Sequence, residues 1–124
     1  GVRSNFRFTG YVPYEQLPSW YSCFSIFIAP VWKESFGQVA PFAMSKRLVI
    51  AGYKIGALPE ITGSDEFFGN DVGDTAEIIT GLLDDKPRRE AIGLINQKRA
   101  AEMFSVEVMT SSYKELYHRL LRLN

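Results

Sequence analysis

The sequence predicts an α/β fold, a parallel sheet with helices on its faces, and three observations lead there. Short β-branched runs alternate with helical patterns in βαβαβ order, which argues for parallel strands joined by crossovers. Two of those runs are continuously apolar, as strands buried on both faces are. The last third of the chain is helical throughout.

Taken in order, "FRFTG" (6–10) alternates apolar and polar residues and stops at a glycine, so it reads as the first strand. "LPSWYSCF" carries Leu17, Trp20, Tyr21 and Phe24 at helical spacing. "SIFIA" (25–29), ended by Pro30, and "LVIA" (48–51), ended by Gly52, are the next two strands, with a helix from "GQVAPFAMSK" between them. Asp74 with Glu77 reads as a capping box opening "TAEIITGLL", and Asp85 with Pro87 opens "RREAIGLINQKRAAEMF". Ser105 caps "VEVMTSSYKELYHRLLRL", with Phe104 and Met109 spaced for a hydrophobic staple. Val106, Met109, Tyr113, Leu116, Leu120 and Leu123 form one stripe on that helix, expected to pack into the core. Cys23 is expected to be a small buried hydrophobe, and His118 a surface or structural histidine on a helix flank.

Composition narrows the function classes. The 124 residues make one domain at most, and 46% hydrophobic with 14% aromatic residues is enough for an ordinary core. Lys plus Arg equals Asp plus Glu at 14 each, so no long-range field favours nucleic acid or anionic lipid, and no nucleic-acid partner is expected. A single cysteine suits a reducing compartment. The longest apolar stretch, 24–32, is far short of the ~20 residues of a membrane span, and no signal peptide opens the sequence. Cytoplasm is the expected location.

The chemistry gathers in two loops. Ligands of an open parallel sheet bind beyond the carboxyl ends of its strands, where loops lead into helix N-termini that attract anions. "PVWKESFGQV" leaves the strand at 25–29 and starts a helix near Gly37, so the backbone N–H groups of Gly37, Gln38 and Val39 could face a phosphate. "AGYKIGALPE" (51–60) leaves the next strand, with Gly56 and Ala57 small enough for close backbone approach. Glu34 would stand beside the anion, where a carboxylate suits sugar hydroxyls better than phosphate; it could instead cap the helix or pair with Lys33. Lys33 and Lys54 could supply charge to a diphosphate or be solvated loop lysines, and Glu60 could touch ligand or cap the next element. These features suggest a phosphorylated sugar or a nucleotide sugar.

"FRFTGYVPYEQLPSWYSCFSIFIAPVWKESFGQV", the "FAMS" that follows, "GALPEI" and the "FS....Y..LY..LL" ending together resemble, over nearly the whole chain, the C-terminal donor-binding domain of the retaining glycosyltransferases built from two Rossmann-like domains. The resemblance implies a Rossmann-like parallel sheet and a partial nucleotide-sugar-binding domain over 1–124. It implies that Glu34 binds donor sugar hydroxyls and that Ser35, Phe36 and Gly37 form the loop contacting sugar and diphosphate, with Gly56, Ala57, Pro59 and Glu60 at the family's Gly-Gly-x-Pro-Glu turn. The family's second glutamate, which binds ribose, is replaced by Phe42; Arg47 stands at a usual glycine and Val49 at a usual proline.

The implied activity is transfer of a hexose from a nucleotide-diphosphate sugar, as substrate, to a glycan, lipid or small acceptor. Configuration would be retained, no metal or other cofactor would be needed, and the product would belong to polysaccharide biosynthesis, in the cytoplasm or at the inner face of the membrane. The family's N-terminal half and the first two βα units of this domain precede the part matched here, so the chain alone is expected to be inactive. The two strands flanking the resulting gap are expected to re-pair directly, or to be completed by a homodimer or strand exchange. Two other readings stay open: a non-catalytic relative serving as scaffold, with Phe42 abolishing nucleotide binding, and an unrelated Rossmann-like phosphate-binding module.

Overall fold

The computed structural model describes residues 2–33 and 35–122. Its sheet has three parallel strands, β1 (Ile26–Ala29), β2 (Val49–Tyr53) and β3 (Phe68–Gly69), in spatial order β1-β2-β3. Ile26 pairs with Val49 and Ala29 with Gly52, while Gly52 and Tyr53 pair with Phe68 and Gly69. Helices α1 (Leu17–Tyr21), α2 (Val39–Ser45), α3 (Leu58–Thr62), α4 (Val72–Asp84), α5 (Lys86–Phe104) and α6 (Val106–Arg122) complete the chain.

β2 is the centre of the core because its side chains are apolar on both faces. Leu48 and Ile50 pack with Ala40, Ala43, Met44, Leu58 and Ile61 of α2 and α3. Val49 and Ala51 face the other way, onto Leu82, Ile78 and Ile79 of α4 and Ile92 of α5. Helix α5 holds the rest in register through side chains that reach backbone carbonyls near the ends of α2 and α3. Asn96 Nδ2 donates to the Leu48 carbonyl at 2.8 Å, Gln97 Nε2 to Ser45, and Arg99 to both Glu60 and Ile61 at 2.7 Å. Carbonyls left open by a helix's last turn are thereby satisfied. Arg47, at the family's glycine position, has φ 64, and its Nε donates to Gln97 Oε1. At the family's proline position, the Val49 N–H donates to the Ser25 carbonyl, a bond proline could not make.

Several expectations are corrected. "FRFTG" is not a strand: 6–13 is irregular after a 3₁₀ turn at Val2–Asn5, with Phe8 93% exposed. Alternation gives a segment strand propensity, but a strand needs a ladder, and among the described residues β1 pairs only with β2. The direct re-pairing of 6–10 with β1 is therefore overturned. Instead Phe6 stacks on Phe8 and the Arg7 guanidinium lies over the Trp20 ring, 5.6 Å from its centroid. β3 was not foreseen, being too short to show periodicity. Helix α4 begins earlier than the Asp74–Glu77 box implied: Asp71 is its N-cap and accepts from the Asp74 N–H at 2.9 Å. The caps at Asp85 and Ser105 stand as expected, accepting from Arg88 and Val108. Cys23 is exposed, and the stripe on α6 is uncovered, with Met109, Tyr113, Leu116 and Leu120 each 41% exposed or more. Leu123 of that stripe lies outside the described residues.

Candidate functional site

The site lies where β1 and β2 end. Because Ala29 is in register with Gly52, the loop from Pro30 and the loop from Lys54 start side by side and stay joined. The Ala57 N–H donates to the Ser35 carbonyl at 3.2 Å, and the Trp32 and Tyr53 rings stack with centroids 4.5 Å apart at 26°. Between the loops is a shallow hollow of about 530 Å³, almost wholly open to solvent, lined by Trp32, Lys33, Ser35 and Ile55.

Each loop turns through a glycine at positive φ, Gly37 at 73° and Gly56 at 55°, a conformation that costs a side-chain-bearing residue about 1–2 kcal/mol. Ala57, at the second position of the family's Gly-Gly turn, has φ −85, so its methyl group is accommodated without strain. Pro59 sits in the first turn of α3, where its missing N–H costs nothing.

Of the residues singled out from the sequence, Lys33 and Ser35 line the hollow, while Gly56 and Ala57 lie outside its lining, Ala57 tied to it by the hydrogen bond to Ser35. The Phe36 ring turns away and packs edge-on against Phe104 at the end of α5, 6.0 Å between centroids, anchoring the loop. Gly37 is buried, while Gln38 and Val39 are exposed at the start of α2. Glu60 is exposed on α3, outside the lining of the hollow, and its carbonyl is held by Arg99. Glu34 lies outside the described residues. Lys54 forms an ion pair with Asp65, which holds that carboxyl below the usual aspartate range, first through the hydrogen bond and then through charge.

Phe42 is half-buried and meets the Tyr21 ring edge-on at 5.0 Å. Tyr21 in turn stacks on Phe27 of β1 at 5.7 Å, and burial raises its hydroxyl above the usual tyrosine value. Sequence reading missed the Trp32–Tyr53 pair. The one available signal was an aromatic residue at or just beyond the end of each of two successive strands, which does not by itself show that the two rings meet.

The parallel sheet flanked by helices, with two glycine-turned loops beyond its carboxyl ends, defines a Rossmann-like fold. The family described as Glycosyl transferases group 1 matches residues 1–85, and the chain belongs to it. Over 98% of its length it is 26% identical to the lipopolysaccharide core biosynthesis mannosyltransferase LpsB of Rhizobium meliloti, covering 36% of that protein. It is 32% identical to O-antigen chain mannosyltransferase B of Escherichia coli, over 92% of this chain and 30% of that one. The fold matches sucrose-phosphate synthase from Thermosynechococcus elongatus with a TM-score of 0.85 at 23% identity, over 99% of this chain and 32% of that structure. The chain thus spans about a third of the length of these relatives.

Proposed function

We propose that residues 1–124 are the donor-binding part of a retaining, metal-independent glycosyltransferase that moves a hexose from a nucleotide-diphosphate sugar to a glycan, lipid or small acceptor. The observation that carries this reading is the joining of loops 30–37 and 54–57 around one hollow at the carboxyl ends of adjacent parallel strands, in a chain of this family. Glu34 accepts hydrogen bonds from the glycosyl hydroxyls. Lys33 and the backbone N–H groups of Gly37, Gln38 and Val39 meet the diphosphate, Gly56 and Ala57 let the second loop approach the donor closely, and Glu60 reaches it from α3, beyond the lining of the hollow. In the transfer, the bond from the anomeric carbon to the diphosphate breaks as the bond to an acceptor oxygen forms, and the acceptor's proton leaves with the diphosphate.

The helix α2 start contributes about 0.3–2 kcal/mol to holding an anion, well under the 8–23 kcal/mol an enzyme removes from its barrier. The chain alone is accordingly inactive, and the acceptor is bound by an N-terminal half. The relatives named for lipopolysaccharide and O-antigen support a role in polysaccharide assembly. Among the described residues no helix is long and apolar enough to cross a membrane. We place the activity in the cytoplasm or at the inner membrane face.

The packing of Phe42 against Tyr21 favours a second reading, a glycosyltransferase-like scaffold that has lost ribose recognition. A donor screen separates the two. The full-length gene product, offered a panel of labelled nucleotide sugars and membrane or glycan acceptors, transfers one hexose preferentially if the first reading holds. Transfer and binding absent across the panel leave the scaffold.

A further inference from the structure

We propose that Trp32, backed by Tyr53, is a stacking platform for a pyranose ring at the mouth of the site. The inference rests on the proposed sugar-transfer function and names a contact that function does not require. Trp32 leaves the end of β1 and Tyr53 ends β2, so the strand register itself brings the two rings to 4.5 Å. Tyr53 covers one face of the indole, yet Trp32 remains 69% exposed, which leaves the opposite face open. A large aromatic side chain held outward with its orientation fixed from behind loses little conformational freedom when a ligand settles on it.

The lining of the hollow points to the ligand. A pyranose ring presents one face of C–H bonds, whose partial positive charge suits the negative face of an indole, and a rim of hydroxyls. Trp32 and Ile55 meet the first requirement, and the Lys33 ammonium and the Ser35 residue meet the second. No side-chain amide of the kind that reads a base edge is among these lining residues. The pyranose belongs either to the donor's glycosyl group or to a sugar of the acceptor.

The test measures, in the full-length protein, calorimetric affinities for a nucleotide sugar, for the matching nucleoside diphosphate and for an acceptor-type oligosaccharide, together with acceptor KM. Trp32→Ala and Trp32→Phe are compared with wild type, and thermal melting checks each variant's fold. Trp32→Ala is expected to weaken the sugar-bearing ligand roughly 10- to 100-fold, with Trp32→Phe recovering most of the loss. Loss in nucleotide-sugar affinity with the nucleoside diphosphate unchanged assigns the donor sugar. A raised acceptor KM or weakened oligosaccharide binding, with donor affinity unchanged, assigns the acceptor. An equal loss for the nucleoside diphosphate overturns the platform in favour of a nucleobase stack, and sugar binding indifferent to Trp32→Ala overturns it outright. If wild type binds no nucleotide sugar, the proposed transfer function fails separately. The oligosaccharide arm then decides the platform alone, sustained by binding that Trp32→Ala removes and overturned otherwise.

Discussion

Phe42 turns its edge onto Tyr21 at 5.0 Å, so the place a ribose-binding glutamate holds in the family is given over to an aromatic cluster with Phe27. Restoring a carboxylate tests whether nucleotide recognition was weakened there. Phe42→Glu should tighten nucleoside-diphosphate binding by roughly 10- to 100-fold, since hydrogen bonds to a charged group contribute about 1.5–3 kcal/mol, and calorimetry on the full-length protein reads it. The same variant should lower stability by about 0.5–1.5 kcal/mol for the lost ring pair, seen in urea titration. Lys54 and Asp65 give a pH-dependent marker nearby. The folded pKa of Asp65 lies below its unfolded value, so the pair stabilises fully above the ordinary aspartate range and fades as pH falls through the depressed value. Lys54→Met should return the Asp65 carboxyl toward its ordinary pKa, which carboxyl NMR follows directly. The turns at Gly37 and Gly56 were legible because glycine between a strand and a helix announces a positive φ in sequence. The Trp32–Tyr53 contact was not, since it exists only through the pairing of Ala29 with Gly52.

At the level of elements, α5 decides where the two site loops stand. Gly93 allows it to lie against the turn before β2: a methyl group built there would be 2.2 Å from the Arg47 carbonyl oxygen. Gly93→Ala should destabilise the fold by about 1–3 kcal/mol, because backbone rather than a flexible side chain is in the way. Urea titration measures the loss, and an unchanged midpoint would contradict this account of the packing. Asp71→Ala should cost about 1 kcal/mol through the lost N-cap of α4, by the same measurement. The longer helices α4, α5 and α6 were legible from their caps and 3.6-residue periodicity, and the start of α4 was misplaced only because Asp71 and Asp74 both suit an N-cap; α3 was read as part of a loop because its five residues are too few to show a period. The "FRFTG" segment was misread for a different reason. Its alternation reports what the residues would do in a sheet, and no local pattern reports whether a partner strand is present.

Across the whole molecule, the described chain shows an open β1 edge, exposed aromatics at 6–11 and an uncovered apolar stripe on α6. The stripe's periodicity was plain in the sequence, but what covers a stripe is a tertiary fact. We expect the 124-residue chain on its own to associate with itself as concentration rises, read by sedimentation velocity, and Leu116→Glu with Leu120→Glu to reduce that association. In the proposed function the two loops grip one nucleotide sugar, with Glu34 on its glycosyl part. Calorimetric titration of the full-length protein and its Glu34→Ala variant, with a nucleotide sugar and with the matching nucleoside diphosphate, tests this most directly. The account predicts that Glu34→Ala weakens the nucleotide sugar at least tenfold while the nucleoside diphosphate binds as before; equal affinities for the two proteins across both ligands would contradict it.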